Sequence, residues 1–308
     1  MEFGKVAEEQ ISTIDFTLPQ DGVQTASVLS GKTAGVNPKY FIGCAKWGRK
    51  EWVNLIYPPK TKEANFLDEY VKHFNCIELN AAFYSMPKVE QVRKWKTKAE
   101  DNASDGFLFC PKFPQIISHM KKLRNATVET DAYLSAVSEF SPFLGPSFLQ
   151  LSDSFGPSNF EVLESYLKSL PVDFNVFVEL RHVEWYSNLD HRNRVFEMLK
   201  TLKKGAIITD ASGRRDILHM ELTIPQAFIR FVGNGQRYAD SDFKRIDDWV
   251  VRLKTWLDEG LEQVYFFLHQ HDERDTPVLA NYTISEFNKH LGSQLPEIKF
   301  ITKQGELF

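Results

Sequence analysis

The sequence has few cysteines, no long hydrophobic run and no excess of positive charge. Its 308 residues include 3 cysteines, none of them in a CxxC pair. So sparse and odd a set argues against a disulfide scaffold or a structural zinc site, and we expect a cytoplasmic protein. No stretch approaches ~18 uninterrupted apolar residues, so the sequence predicts no membrane span. The formal net charge of −4 argues against nucleic acid or a membrane surface as the main partner.

Several local signatures are also absent. The first five residues do not begin a basic segment followed by an apolar run, so the sequence predicts no secretory signal. No GxGxxG or GxxxxGK[ST] motif follows the first predicted strand, and no HExxH spacing occurs anywhere. With 43% hydrophobic and 13% aromatic residues, the chain can nevertheless build a large core.

Residues 1–36 differ in composition from the rest of the chain. They carry five acidic and two basic residues, and residues 20–35 are rich in Gly, Ser, Thr and Gln, as linkers are. We therefore expect a partly ordered N-terminal arm, followed by one domain over residues 37–308.

Beyond the arm, short apolar or β-branched runs alternate with helical patterns. The predicted strands are Tyr40–Ala45, Cys76–Asn80, Phe107–Lys112, Ser147–Leu151, Asn175–Arg181, Ala206–Asp210, Ala227–Val232 and Val264–His269. A typical helix pattern is the apolar stripe from Ile246 to Leu257, which ends at Gly260. The interval between the sixth and seventh strands is short, so its helix should be reduced or missing. Eight such units predict a (β/α)8 TIM-type barrel, with an open doubly wound sheet as the alternative.

Polar residues recur at the carboxyl ends of the predicted strands. Alternate residues of a barrel strand face inward, and barrel active sites gather at these ends. Unpaired buried charges are costly, so these groups should either pair with each other and close the mouth or bind a ligand. We favour a polar pocket at the mouth. Its candidate catalytic residues are Glu78, Lys112, His119, Glu179 and Asp210.

A second set of residues at the same ends is suited to hold a substrate. Arginines bind phosphate or carboxylate, aromatic rings stack on a ring or sugar face, and the turn at Gly233-Asn234-Gly235 could bind phosphate through backbone N–H groups. The candidate substrate-binding residues are Trp47, Asn80, Tyr84, Gln150, Arg181, His182, Trp185, Arg230 and Gly233.

The chain resembles domain-of-unknown-function family 72, the YecE-like proteins, from about Tyr40 to its C-terminal region. The matching segments, specific when taken together and in order, are Ile42–Trp47, Tyr57–Pro59, Phe74–Tyr84, Phe109–Lys112, Ile117–His119, Phe148–Leu151, Val178–His182, Glu184–Trp185, Thr209–Asp210 and Phe228–Gly233. The resemblance implies a TIM-type barrel and no particular reaction. Two segments depart from the family pattern, Cys44-Ala45 and His269-Gln270-His271, and the N-terminal arm is similar to that of one branch of the family.

Three functions fit these observations. The first is an enzyme without a cofactor that acts on a small anionic or sugar-like substrate by acid/base chemistry. The second is a metal-dependent, phosphodiesterase-like hydrolase or an isomerase, with Zn or Mn held by the carboxylates and histidines at the strand ends, His269 included. The third is a non-catalytic barrel that binds a ligand or a partner protein.

Overall fold

The computed structural model has all eight predicted strands; it describes residues 4–30, 37–103 and 106–301. The strands are β1 Lys39–Cys44, β2 Cys76–Leu79, β3 Leu108–Pro111, β4 Ser147–Gln150, β5 Val176–Glu179, β6 Gly205–Asp210, β7 Gln226–Gly233 and β8 Gln263–Gln270. They are parallel and ordered β3-β2-β1-β8-β7-β6-β5-β4. Isolated parallel bridges, Phe109 to Leu144 and Lys112 to Phe148, join the β3 and β4 regions and nearly close the ring. The predicted (β/α)8 barrel is confirmed.

Helices connect most of the strands. In the described residues they are α1 Glu8–Ile11, α2 Val23–Leu29, α3 Phe66–Tyr70, α4 Ala81–Tyr84, α5 Val89–Asn102, α6 Thr127–Ser138, α7 Phe160–Ser169, α8 Glu184–Ser187, α9 Leu189–Thr201, α10 Ala239–Glu259 and α11 Thr276–Leu291. The stripe predicted for α10 is buried, and the helix ends where Gly260, at φ 127°, donates its N–H to the carbonyl of Trp256. None of the helices described is long and apolar enough to cross a membrane.

The inside of the barrel has two layers of different chemistry. The lower layer is apolar and mostly aromatic. It consists of Cys76, Cys110, Phe148, Phe177, Ile207, Phe228, Tyr265 and Phe267. Strand side chains alternate with a period of two, so the next inward position lies two residues further along each strand. On most of these strands that position carries a polar group. The aromatic layer therefore forms a dry floor under a polar layer at the carboxyl ends.

The connection between β6 and β7 contains only a short 3-10 segment, Ser212–Ile217, as its length predicts. The N-terminal arm packs beside this connection. Its Gln24 accepts a hydrogen bond of 2.7 Å from Lys200 of α9, and its Asp21 accepts one of 3.1 Å from the indole of Trp256 of α10. The arm therefore bridges α9 and α10, where a helix after β6 would lie in a regular barrel.

Part of the segment with linker-like composition is helical. The carboxylate of Glu221 accepts the backbone N–H groups of Val23 and Gln24, at 3.3 and 3.0 Å, and so caps the first turn of α2. A Cβ at Gly22 would lie within 2.3 Å of the same carboxyl atoms, so a larger residue there would displace the carboxylate from the cap. The linker prediction is thus wrong for residues 23–29; residues 31–35 lie outside the described residues. The cap lies 197 positions away in sequence, so local composition could not reveal it.

The arm should contribute to the stability of the whole barrel. Leu29 is 1% exposed and belongs to the main core, whereas Val23, on the same helix, is 70% exposed. We expect Leu29→Ala to lower the free energy of unfolding by about 2–4 kcal/mol, as core Leu→Ala changes do. The matched control Val23→Ala should change it by less than about 0.5 kcal/mol. Urea unfolding measures both, and an equal effect of the two variants would contradict the docking of the arm.

Candidate functional site

A cavity of about 640 Å³ opens at the carboxyl ends of the strands. It reaches from the ends of β1 and β2 across to β7 and to the loop after β8. Of the predicted site residues it brings together Trp47, Glu78, Asn80, Tyr84, Lys112, His119, Gln150, Arg181 and Arg230. Such a volume is typical of sites for small molecules.

Arg230 lies at the centre of the polar layer, only 2% exposed. Its Nε and Nη2 donate to both carboxylate oxygens of Glu78, each at 2.8 Å, and its Nη1 donates to Glu179 Oε2 at 2.8 Å. Charge-assisted bonds of this bidentate kind are the strongest that side chains form. The three residues belong to β2, β5 and β7, so the triad links separate strands of the ring. The mutual salt bridges considered from the sequence do form here.

Both carboxyl groups of the triad remain ionised at neutral pH. Burial alone would raise the pKa of Glu179, but the guanidinium groups of Arg181 and Arg230 outweigh burial and lower this pKa to about 2. Burial likewise opposes ionisation of Glu78, yet Arg230 and His269 hold its pKa well below the usual range. His269 lies 3.0 Å from Glu78 Oε2 through its Nε2. Neither carboxylate can therefore donate a proton at pH 7.

Lys112 follows β3 directly and is buried at the edge of the cavity, 6% exposed. Its Nζ donates to Gln150 Oε1 at 2.7 Å and lies 4.1 Å from the centre of the Phe83 ring. No carboxylate of the described residues forms an ion pair with it. Burial, followed by the positive charge of Arg230, lowers the pKa of Lys112 to about 7.

His119 lies on a π-helical turn, Ile116–Met120, and its ring meets Phe83 edge-on at 5.0 Å. The Ser118 hydroxyl donates its hydrogen to the Pro114 carbonyl at 3.2 Å and lies 2.9 Å from His119 Nδ1. With the hydroxyl hydrogen on Pro114, the Ser118 oxygen accepts from Nδ1–H, and this assignment leaves the lone pair of the ring on Nε2. Burial, then the charges of Lys112 and Arg181, lower the pKa of His119 to about 4. The ring is therefore neutral at pH 7.

The outer rim combines aromatic and cationic side chains. Tyr84 is 74% exposed, and Trp47 packs edge-on against Trp95 at 5.6 Å. Arg181 donates from Nε to Glu179 Oε1 at 2.9 Å and also lines the cavity. Asn80 donates to Glu78 Oε1 at 2.8 Å. A ligand entering the cavity would pass aromatic faces and then meet a positive charge.

The comparisons with known proteins place this barrel in a family. Residues 41–299 match the family model described as "Protein of unknown function DUF72". The chain belongs to the DUF72 family. It is 29% identical over 286 residues to UPF0759 protein YecE of Escherichia coli K12, which covers 87% of this chain and 99% of YecE.

Solved DUF72 structures share the fold. A DUF72 protein of Enterococcus faecalis superimposes with a TM-score of 0.62 at 17% identity, covering 86% of this chain and 99% of its own. One from Thermotoga maritima gives 0.60 at 19% identity, covering 82% and 99%. The DUF72 relationship thus confirms the resemblance deduced from the sequence. The description of the family names no reaction.

Five predicted site residues of this DUF72 chain do not line the cavity. Among these five, Glu179 still contributes to the site, because it binds Arg230, which does line the cavity. Asp210 faces the helices, where it accepts from Arg245 Nη2 at 2.8 Å and from the Trp249 indole at 2.9 Å. The inward position at the end of β6 belongs to Thr209, which donates to Glu179 Oε1 at 3.2 Å. The expectation that Asp210 lies in the pocket is wrong, because the strand ends one residue past its last inward position.

Residues after β5 also depart from expectation. Trp185 is fully buried and donates its indole N–H to the Phe155 carbonyl at 2.7 Å, so it belongs to the core and not to the mouth. His182 does not line the cavity; its Nδ1 accepts from the backbone of Glu184 at 3.2 Å. Both residues lie in the turn that starts α8, and this turn leads away from the mouth.

The Gly233 turn is already occupied by a carboxylate. Asp242 of α10 accepts the N–H of Asn234 at 2.7 Å, and a Cβ at Gly233 would lie 2.7 Å from the same oxygen. The turn does not line the cavity, so the prediction that it binds a substrate phosphate there is not supported by its position. A side chain of the following helix takes the place that an anion would occupy.

The cavity also contains residues outside the predicted set. Glu273, in the loop after β8, lines it while its Oε2 accepts from Thr276 at 3.0 Å. Lys46 and Phe83 line it as well. Glu273 comes three residues after the end of β8, beyond the strand ends on which sequence reasoning concentrated. Extending that search to the loops would have found it.

The residues at the mouth do not fit a Zn or Mn site. Within the ranges that the structure describes, no three His, Cys, Asp or Glu side chains are grouped in a way that could hold a metal ion. Glu78 and Glu179, the central acidic pair, are already bound to one guanidinium. A metal ion between them would be repelled by Arg230.

The triad yields a prediction about stability and its pH dependence. Arg230→Met removes the counter-charge that two buried carboxylates share, leaving Glu179 with Arg181 alone and Glu78 with His269 alone, and should cost about 3–5 kcal/mol at pH 7. In the wild-type protein the folded pKa of Glu179, about 2, lies below its unfolded value, so its contribution is lost as pH falls towards 2. In the variant the two carboxyl groups have lost part of the positive charge around them and are protonated more readily. The difference in stability between the two proteins should therefore shrink from pH 7 to pH 4.

Urea unfolding at both pH values measures this difference. Arg93→Met is the matched control, since Arg93 forms a bidentate but exposed pair with Glu139, and such pairs contribute up to about 1 kcal/mol. A variant as stable as the wild type at pH 7, or a gap that does not change with pH, would contradict the role assigned to Arg230.

Proposed function

We propose that this DUF72 protein is an enzyme that binds a small anionic or sugar-like substrate in the mouth cavity and acts on it by acid/base chemistry without a metal cofactor. The observation that carries the proposal is the position of Lys112. It is a buried amine at the edge of an open cavity, and its hydrogen bond goes to an uncharged amide. A structural lysine with this degree of burial usually pairs with a carboxylate.

The charged groups around the cavity are of two kinds: some keep one protonation state at neutral pH, and one can change it. Glu78, Glu179 and Arg230 neutralise one another in part and keep their protonation states at neutral pH. We propose that these three residues set the electrostatic potential in the cavity and do not transfer protons. Lys112, with a pKa of about 7, can exist in either form at physiological pH. It is the group best suited to give and take a proton, with His119 beside it.

The preference for an anion follows from the lining of the cavity. Arg181 and Lys46 present positive charge to it, in addition to Lys112 when that residue is protonated. Trp47 and Tyr84 offer ring faces at the rim on which a sugar or a planar group can stack.

The three cysteines, Cys44, Cys76 and Cys110, are buried and free, which agrees with work in a reducing cytoplasm.

A ligand screen by thermal unfolding tests this function. We expect at least one small carboxylate or phosphorylated compound to raise Tm by roughly 5 °C at a concentration of about one hundred times its Kd. The shift should disappear in Lys112→Met and in Arg181→Met, because each removes a charge from the cavity. It should persist in Lys60→Met, a change at an exposed lysine outside the cavity.

Turnover then separates the alternatives. Conversion of the bound compound, followed by proton NMR, would support an enzyme, whereas binding without conversion would indicate a non-catalytic ligand-binding barrel. Stabilisation by Zn or Mn that is lost in Glu179→Gln would favour the metal-dependent hydrolase or isomerase. If no anionic compound stabilises the protein through Lys112, the proposal fails.

A further inference from the structure

The hydrogen bonds of Lys112 are incomplete. An ammonium group has three N–H donors, and Lys112 uses one of them, towards Gln150 Oε1 at 2.7 Å. The two nearest acidic groups of the polar layer, Glu78 and Glu179, are committed to Arg230. The amine is thus withdrawn from water without a counter-ion, an arrangement that favours its uncharged form.

A second buried lysine has more hydrogen-bond acceptors than Lys112. Lys204 is 2% exposed, and its Nζ donates to two backbone carbonyls, those of Phe174 at 2.8 Å and Pro171 at 3.3 Å. It precedes β6 and so lies at the opposite end of the barrel from the cavity. Burial alone therefore does not leave a lysine short of acceptors in this fold. Lys112 is short of them at the place where a ligand would enter.

The surroundings of Lys112 also favour a nucleophile over a simple cation. The Phe83 ring covers Nζ at 4.1 Å and keeps water from one side of it, although this cation–π contact offsets part of the cost of burying the ammonium form. Burial and the nearby positive charges bring the pKa of Lys112 to about 7, so the unprotonated amine is populated at neutral pH. A neutral amine has a lone pair, which is what attack on a carbonyl carbon requires.

We propose that Lys112 forms a covalent imine with the carbonyl carbon of a small aldehyde, ketone or 2-oxo acid that also bears a carboxylate or phosphate group. This inference rests on the proposed function and names its substrate class. Arg181, which lines the same cavity, supplies the charge that pairs with the acidic group.

The step balances without any additional reactant. The uncharged amine of Lys112 adds to the carbonyl carbon, and the new C–N bond forms as the C=O double bond opens. Both hydrogens of the amine move to the former carbonyl oxygen, which leaves as one molecule of water, and a C=N bond remains. His119, with its lone pair on Nε2 and no hydrogen-bond partner for this atom among the described residues, can pass these protons from nitrogen to oxygen.

Reductive trapping tests the proposal directly. The wild-type protein is incubated at pH 7 with sodium cyanoborohydride and, in turn, glyoxylate, pyruvate or glyceraldehyde 3-phosphate, and the labelled lysines are located by peptide mass spectrometry. We expect at least one of the three to label Lys112 about tenfold or more faster than the exposed Lys60, because an ordinary lysine with a pKa near 10.4 is almost fully protonated at pH 7. Labelling at Lys112 should saturate with concentration of the carbonyl compound.

Two variants provide the controls. Lys112→Arg keeps the charge but cannot form an imine, so the fast labelling should disappear, while Lys60→Arg should leave it unchanged. If Lys112→Arg does not fold, the wild-type protein still decides: labelling of Lys112 should rise through pH 7 and level off above about pH 8, whereas labelling of exposed lysines should keep rising. Labelling of Lys112 that is absent, or no faster than that of Lys60, with all three compounds would overturn the proposal.

Analogues without a carbonyl group separate this inference from the proposed function. Lactate and glycerol 3-phosphate carry the acidic group but cannot form an imine. If they raise Tm in the wild type and in Lys112→Arg but not in Lys112→Met, and no adduct forms with the carbonyl compounds, the anion site stands and the imine fails. If neither binding nor labelling is observed, both fail together.

Discussion

The polar layer of this barrel depends on the bonds between the Arg230 guanidinium and the carboxylates of Glu78 and Glu179. They satisfy three buried charges at once and connect strands from different parts of the ring. Because the two carboxylates are bound in this way, neither is available as a counter-ion to Lys112. The unusual state of the lysine therefore follows first from its burial and then from the triad, whose Arg230 repels a second positive charge and whose carboxylates are already paired.

The apolar floor makes this arrangement possible. Phe148, Phe177 and Phe228 lie one inward position below Gln150, Glu179 and Arg230 on the same strands. They exclude water from beneath the triad, and the ring of Phe148 lies 5.7 Å from both Arg230 and Lys112. In so dry a setting hydrogen bonds to charged groups are strong and unpaired charges are costly. The alternation of side chains along the strands thus fills the core with aromatic rings and also strengthens the ion pairs of the polar layer next to it.

Most of the fold and much of the site could be predicted from the sequence because both follow from the two-residue period of strands. That period identifies Glu78, Gln150, Glu179 and Arg230 as inward-facing from their apolar neighbours. It fails at strand ends, where a single residue decides the direction: Thr209 faces in and Asp210 does not. It also cannot anticipate partners that lie outside the strands, such as Asp242 of α10 at the Gly233 turn or Glu221 at the start of α2.

The position of the arm has a consequence for synthesis on the ribosome. Residues 4–30 leave the ribosome well before the groups that hold them, Lys200 and Trp256 among them, which are made more than 170 positions later. At about 5–20 residues per second, the arm waits roughly ten to fifty seconds before its docking surface exists. During that time Leu29 and its neighbours are exposed on a growing chain, and a segment translated before the barrel is among the last to reach its native place.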